Sequence, residues 1–320
     1  MTGPILLLDA VEKHFTVRRG KGWHRERTVV KAVDGISLEV ERGAFVGCLG
    51  PNGAGKSTTV KLCTGILVPS AGSVRVAGLD PTRQRIEVAG RIGAVFGQRT
   101  TLWWDLPLRD SLDLLARVYR LPADRHRRRI DQLVELLDLG PLLPVPVRQL
   151  SLGQRMRGDL AAALVHEPEI LHLDEPTVGL DVVSKQRVRE FLARENAEHG
   201  TTVVLTTHDL TDIQRLCRRV LVIDHGKVVH DGSIDDLMRR FGDERTLVVD
   251  LDEPAAPIQV AGARVVRVDG PRQWLRFRSA DVSAAQLVAA VAATHGLRDL
   301  SVEEPDVDEV VRRLYGTSDR

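Results

Sequence analysis

The sequence predicts an α/β protein in two units, and three observations carry that expectation. An apolar run over residues 44–49 leads directly into Gly50-Pro51-Asn52-Gly53-Ala54-Gly55-Lys56-Ser57-Thr58. A second apolar run, residues 169–173, ends in Asp174-Glu175. Beyond residue 243 the pattern starts afresh, as short alternating strands interleaved with helical stretches. Buried strands that alternate with helical segments argue for a parallel sheet with crossover helices.

Taken in order, residues 5–45 alternate like strands of a small antiparallel sheet, interrupted by a basic stretch at 18–27 that holds Trp23. A charged stretch of this kind reads as a solvated hairpin tip ahead of a contact with an anionic headgroup. The segment from Gly50 to Ser57 then fills the pattern G-x-x-x-x-G-K-[ST]. A chance match in a chain this long is about one in a hundred at ordinary residue usage. Glycines let the backbone curl round a polyphosphate with its N–H groups inward, and a helix opening at Lys56 adds its positive end. Lys56 is expected at the β- and γ-phosphates and the Ser57 hydroxyl at Mg²⁺.

A strand over residues 92–97 ends at Gln98. Helices are expected at 110–119 and 123–137, then a joint holding Pro141, Pro144 and Pro146, then a helix opening near Ser151. The run Arg125-His126-Arg127-Arg128-Arg129 reads as a solvated face of the second helix. Trp103 and Trp104 are adjacent in a chain only 4% aromatic, and one is expected inside and one outside. Asp174, at a strand end, suits a role in steadying Mg²⁺, and Glu175 can orient and deprotonate a water. A strand at 202–206 precedes His208. The second unit reads as strands at 247–251, 265–268 and 274–277, a helix at 284–293, a strand at 300–302 and a helix at 307–315.

Composition sets limits. A length of 320 residues supports one large domain and a smaller one, and a formal charge of +1 makes no case for nucleic acid. Three cysteines, at 48, 63 and 217, argue against a disulfide framework, and no Cys/His cluster has zinc spacing. No apolar run approaches the length of a membrane span, and Asp9 cuts short the run at 5–8, so neither a span nor a signal peptide is expected.

In this setting Leu150-Ser151-Leu152-Gly153-Gln154, just upstream of the Asp174 strand, is diagnostic. The chain resembles the nucleotide-binding subunits of ABC transporters over residues 5–240. Gln98 matches the family's Q-loop, residues 176–181 its D-loop and His208 its switch histidine. The resemblance implies a phosphate-loop NTPase core with an antiparallel β subdomain and a helical subdomain at about 100–165, in a domain spanning 1–240. It implies ATP and Mg²⁺, the metal held by Ser57, Gln98 and Asp174. It also implies a second cassette, read as a homodimer, whose Ser151, Gly153 and Gln154 would cover the γ-phosphate, with Asp181 tying the two sites together. Glu175, His208, Gln98 and Lys56 would be the catalytic set, and Phe15 would stack on adenine, with Trp23 as the alternative. A core aromatic is the competing reading of Phe15. The usual glycine at the third signature position is replaced by Leu152. Residues 245–320 resemble the C-terminal extension of ABC-2-type drug exporters, such as the daunorubicin and viologen types, which can assist dimerisation. The expected role is therefore an ATPase at the cytoplasmic face of the membrane, attached through a separate permease and driving efflux of drugs or other small hydrophobic or cationic compounds. An importer ATPase and an ABC-fold ATPase acting on DNA or the ribosome are the alternatives. The long coiled-coil insertions or duplicated cassettes of the latter are missing.

Overall fold

The computed structural model describes residues 3–19, 26–97, 99–242, 244–304 and 310, and divides into units Met1–Gly232 and Ser233–Arg320. This division falls eight residues before the boundary expected from the sequence. The helix at 234–241 groups with the second unit.

In the first unit β1 (Leu6–Arg19) and β2 (Glu26–Val40) pair antiparallel as far as Arg19↔Glu26. Next come β3 (Phe45–Leu49), α1 (Lys56–Cys63) and β4 (Ala71–Val76), which joins β1 to complete a sheet of order β2-β1-β4. β4 was not anticipated: its burial begins only at Val74, so its apolar signal is brief. The short α2 (Arg85–Ala89) leads to β5 (Ile92–Phe96). Three helices follow: α3 (Leu108–Val118), α4 (Ala123–Leu136) and α5 (Leu152–Leu164). Prolines stand at the N-caps of α3 and α4, where a missing N–H costs nothing. Then come β6 (Ile170–Asp174), α6 (Val182–His199), β7 (Thr202–Thr206), α7 (Leu210–Leu216), β8 (Arg219–Asp224) and β9 (Lys227–Gly232).

The central sheet runs β5-β6-β7-β3-β8-β9, parallel except for the β8–β9 pair. Every residue of β3 and β7 is buried, as a sheet covered on both faces requires. Register aligns Phe96 with Asp174, Asp174 with Thr206, and Thr206 with Cys48. The loops after β3, β5, β6 and β7 therefore leave from one rim. In open α/β sheets this carboxyl end is where ligands bind.

Two expectations about the helical region are corrected. Arg129 is not on a solvated face: it is 2% exposed, with its guanidinium 2.8 Å from Glu195 of α6, itself 2% exposed. Helical period puts position 129 with the buried Ile130 and Leu133. Arg125 does lie outward, paired with Glu167. Trp103 and Trp104 are 40% and 49% exposed, so neither is core. Their segment is neither helix nor strand, and Leu102 takes the buried place beside them.

The second unit comprises α8 (Ile234–Phe241), β10 (Glu244–Leu251), β11 (Ala263–Asp269), β12 (Arg272–Arg278), α9 (Ala284–Ala292) and β13 (Leu297–Glu303). Its antiparallel sheet, ordered β11-β12-β10-β13, buries Leu247, Val249, Leu275 and Phe277 with Leu287 and Val291 of α9. The helix expected at 307–315 lies outside the described residues apart from Val310.

The Arg129–Glu195 pair joins α4 to α6 inside the first unit, which makes it a sensitive test of how the helical region is attached. Glu195→Ala, leaving Arg129 buried without its carboxylate, should cost about 3–5 kcal/mol in urea unfolding of this unit. The double replacement Arg129→Met with Glu195→Leu should be near neutral, because the desolvation of both charges disappears with them.

Candidate functional site

The glycine-rich loop leaves the end of β3 and turns into α1. Gly53 and Gly55 adopt φ of +85° and +109°, and a Cβ on Gly55 would lie 2.4 Å from the Ala32 carbonyl oxygen. Only glycine serves at Gly55, for conformation and for space. Lys56 opens α1 and folds back on the loop, its ammonium donating to the Gly50 carbonyl at 2.5 Å and the Pro51 carbonyl at 3.1 Å. Burial lowers its pKa, against the opposing pull of Glu175 and Asp174.

Ser57 donates to Asp174 Oδ1 at 3.0 Å, and Thr206 donates to the same oxygen at 2.5 Å. The structure thus brings two of the three expected metal residues, Ser57 and Asp174, into contact across three strands. Their donors are a hydroxyl and a carboxylate, hard oxygens of the kind that hold Mg²⁺ alongside substrate phosphates and water. Among the described residues no group of three or more His, Cys, Asp or Glu is placed to hold a metal ion alone. One residue on, Glu175 takes φ +56°, and its Oε2 lies 2.7 Å from His208 Nδ1. His208 is exposed, so the dyad faces outward from the rim.

Ser151 caps α5 and forms a reciprocal box with Gln154: Gln154 N–H donates to Ser151 Oγ at 3.3 Å, and Ser151 N–H donates to Gln154 Oε1 at 2.9 Å. A Cβ on Gly153 would meet Ser184 Oγ at 2.8 Å. Leu152, the departure from the usual glycine, lies against Gly179, where an added Cβ would come within 2.7 Å of its Cδ2. Asp181 caps α6, accepting from Ser184 N–H at 2.9 Å and Ser184 Oγ at 2.6 Å. Ser151, Gly153 and Asp181 therefore form a second group, on the start of α5 and α6.

Gln98 lies outside the described residues, as does Trp23. The backbone on either side of Gln98 is fixed by Gly97 N–H donating to Asp174 O at 2.8 Å and Arg99 N–H to Phe96 O at 2.7 Å. Phe15 is 37% exposed on β1, with Lys13 Nζ 5.3 Å from its ring centre, so the reading of a core aromatic does not hold.

Sequence reasoning missed Thr206 and the buried Asp212. Asp212 accepts from Thr177 Oγ1 at 2.6 Å and pairs with the Arg189 guanidinium at 2.5 Å, tying the segment after Glu175 to α6 and α7. Only a threonine closing an apolar strand hinted at Thr206. Asp212 gives no local signal, because its partners are 35 and 23 residues away.

Comparison with known proteins accords with this geometry. A family model described as ABC transporter matches residues 33–178. The daunorubicin resistance ATP-binding protein DrrA3 of Streptomyces coeruleorubidus is 39% identical, over 91% of this chain and 93% of its own length. The daunorubicin/doxorubicin resistance ATP-binding protein DrrA of Streptomyces peucetius is 34% identical, over 89% and 88%. A solved dimeric ATP-binding cassette, in a post-hydrolysis state bound to ADP and Pi, superposes with a TM-score of 0.62 at 26% identity. The match covers 71% of this chain and 98% of that one.

Lys56 offers the one ammonium at the loop, so Lys56→Ala should weaken ATP binding about 10- to 100-fold, the worth of hydrogen bonds from a charged donor. Calorimetric titration with Mg-ATP measures this, and unchanged affinity would remove Lys56 from the nucleotide site.

Proposed function

The chain belongs to the ABC transporter family, and from that premise we propose that it is the ATP-hydrolysing subunit of a membrane exporter. The observation that carries the reading is the pairing of Ser57 with Asp174, and of Glu175 with His208, along one rim of the sheet.

Ser57, Asp174 and Gln98 are the residues that would hold Mg²⁺, which when bound would neutralise phosphate charge. Lys56 exchanges the Gly50 and Pro51 carbonyls for phosphate oxygens. Glu175, oriented by His208, accepts a proton from the attacking water while the water oxygen bonds to the γ-phosphorus. The bond from that phosphorus to the bridging oxygen breaks, releasing ADP and phosphate. His208 is exposed and free to contact the γ-phosphate from its other ring nitrogen. Phe15 offers an exposed ring for adenine. Ser151 and the Gly153 amide complete the site on a second copy of the chain, where the start of α5 favours an anion. Asp181 then links the two sites.

Two copies closing on two ATP molecules give a stroke that a separate permease converts into transport. Relatives are named for resistance to daunorubicin and doxorubicin. On that likeness the cargo here is a drug or another small hydrophobic or cationic compound. Among the described residues no helix is long and apolar enough to cross a membrane, in keeping with attachment through a permease at the cytoplasmic face. The small C-terminal domain, 245–320, is assigned a supporting part in dimerisation.

Replacing Glu175 with Gln should leave ATP binding intact and slow turnover by about 10²- to 10⁴-fold, the usual worth of a positioned base. Light scattering of that variant should show a monomer becoming a dimer only with Mg-ATP. Normal hydrolysis would remove Glu175 as the base. A monomer with ATP bound would mean that closure needs the permease or a different cassette.

A further inference from the structure

Asp159 lies in the middle of α5, eight residues after Ser151, and is buried although it carries a carboxylate. A charged group in such a place needs several donors. Here they all come from the segment following Gln98: Thr100 Oγ1 at 2.8 Å, Thr101 N–H at 3.1 Å and Thr101 Oγ1 at 3.4 Å, each to Asp159 Oδ1. The preceding residue, Gly158, supplies the space. A Cβ there would stand 3.0 Å from Leu102 Cδ1 and 3.0 Å from Leu108 Cδ1. Two adjacent residues of α5 thus build a seat for residues 100–102, one by lacking a side chain and one by accepting three hydrogen bonds.

The seat continues outward to the tryptophans. Trp103 N–H donates to Ser111 Oγ at 3.2 Å, Arg148 N–H donates to the Trp104 carbonyl at 3.0 Å, and Arg155 of α5 stands 5.4 Å over the Trp104 ring. Trp104 thus packs under a guanidinium of the same helix that Ser151 caps, while Trp103 is bonded to α3.

We propose that Asp159 is a positioning residue that fastens the exit of the Gln98 loop to α5, so that the Trp103–Trp104 surface and Ser151 move as one lever when nucleotide binds. Asp159 acts through Thr100 and Thr101. The lever rests on the ATP-binding reading above, and it requires neither an exporter nor a permease to be tested.

The test uses the full chain with Trp23→Phe and Trp274→Phe, leaving Trp103 and Trp104 as its only tryptophans. Mg-ATP titration should shift their emission and their quenching by acrylamide. With Asp159→Ala that shift should fall by about half or more, as expected when charge-assisted hydrogen bonds are lost. ATP affinity, read independently by calorimetry, should change less than about twofold, because the phosphate loop lies outside this network. Asp159→Asn should restore the shift, since its amide oxygen still accepts from Thr100 and Thr101. A full shift in the alanine variant would overturn the proposal, as would a parent protein that binds ATP without any tryptophan response. Failure of asparagine to rescue, or loss of ATP affinity together with the shift, would reduce Asp159 to a structural residue. A parent that binds no ATP would instead defeat the ATPase reading, and the lever with it.

Discussion

The parallel register across β5, β6, β7 and β3 is the constraint on which the site depends. Phe96, Asp174, Thr206 and Cys48 stand in one row, and the ladder does not stop there. Gly97 N–H donates to the Asp174 carbonyl, Glu175 N–H to Thr206 and Thr207 N–H to Cys48, so the hydrogen bonding extends one step into each loop. A one-residue slip of any strand would turn its side chains to the opposite face. Asp174 would then lose both hydroxyls that it accepts from. Burial of both faces of the sheet is what forbids the slip. The chemistry of the rim is in this sense held in place by the buried side chains of Val46, Leu171, Leu173, Val203 and Leu205.

With the rim fixed, the polar groups of the two site clusters are partnered inside the chain. Lys56 sits on loop carbonyls, Glu175 on His208, Ser57 on Asp174 and Gln154 on Ser151. Nucleotide binding is then an exchange of partners, with little net change in the number of hydrogen bonds, so its selectivity rests on charge and geometry. His172 of β6 lies directly beneath, lining a small cavity with Lys56, Cys48 and Cys63. Burial holds its pKa down at about 4, which keeps it neutral and spares the loop a second buried cation. Burial likewise pushes the Cys48 and Cys63 thiols up to about 12, so both behave as small apolar groups under the loop.

What was legible in the sequence is what chain-local geometry dictates. The glycine spacing before Lys56 and the serine cap three residues before Gln154 are short-range patterns, and so are the apolar runs ending at Asp174 and Thr206. Each is specified within a few residues. Arg129, Asp159 and Asp212 were not legible, since their partners lie 66, 59 and 35 residues away. A buried charge looks in sequence like a solvated one until its partner is known. The brief apolar signal of β4 and the irregular path of Trp103 and Trp104 escaped for the related reason that no period governs them. The expected roles of Gln98 and Trp23 fall on residues outside those described.

Leu152 shows how one departure from a family pattern is accommodated. At the commoner glycine the first turn of α5 would carry no side chain at that position. Leucine instead reaches Gly179, which has φ +74° and no Cβ to obstruct it. Beside it Gly153 approaches Ser184, and Ser184 in turn donates to Asp181. The start of α5 is thereby packed against the start of α6, while its middle is joined through Asp159 to the segment after Gln98. A helix held at its first turn and again two turns later has little freedom to tilt on its own. Any displacement at residues 100–104 must carry Ser151 and the cap of α6 with it, or break hydrogen bonds to a buried carboxylate at a cost of about 1.5–3 kcal/mol each.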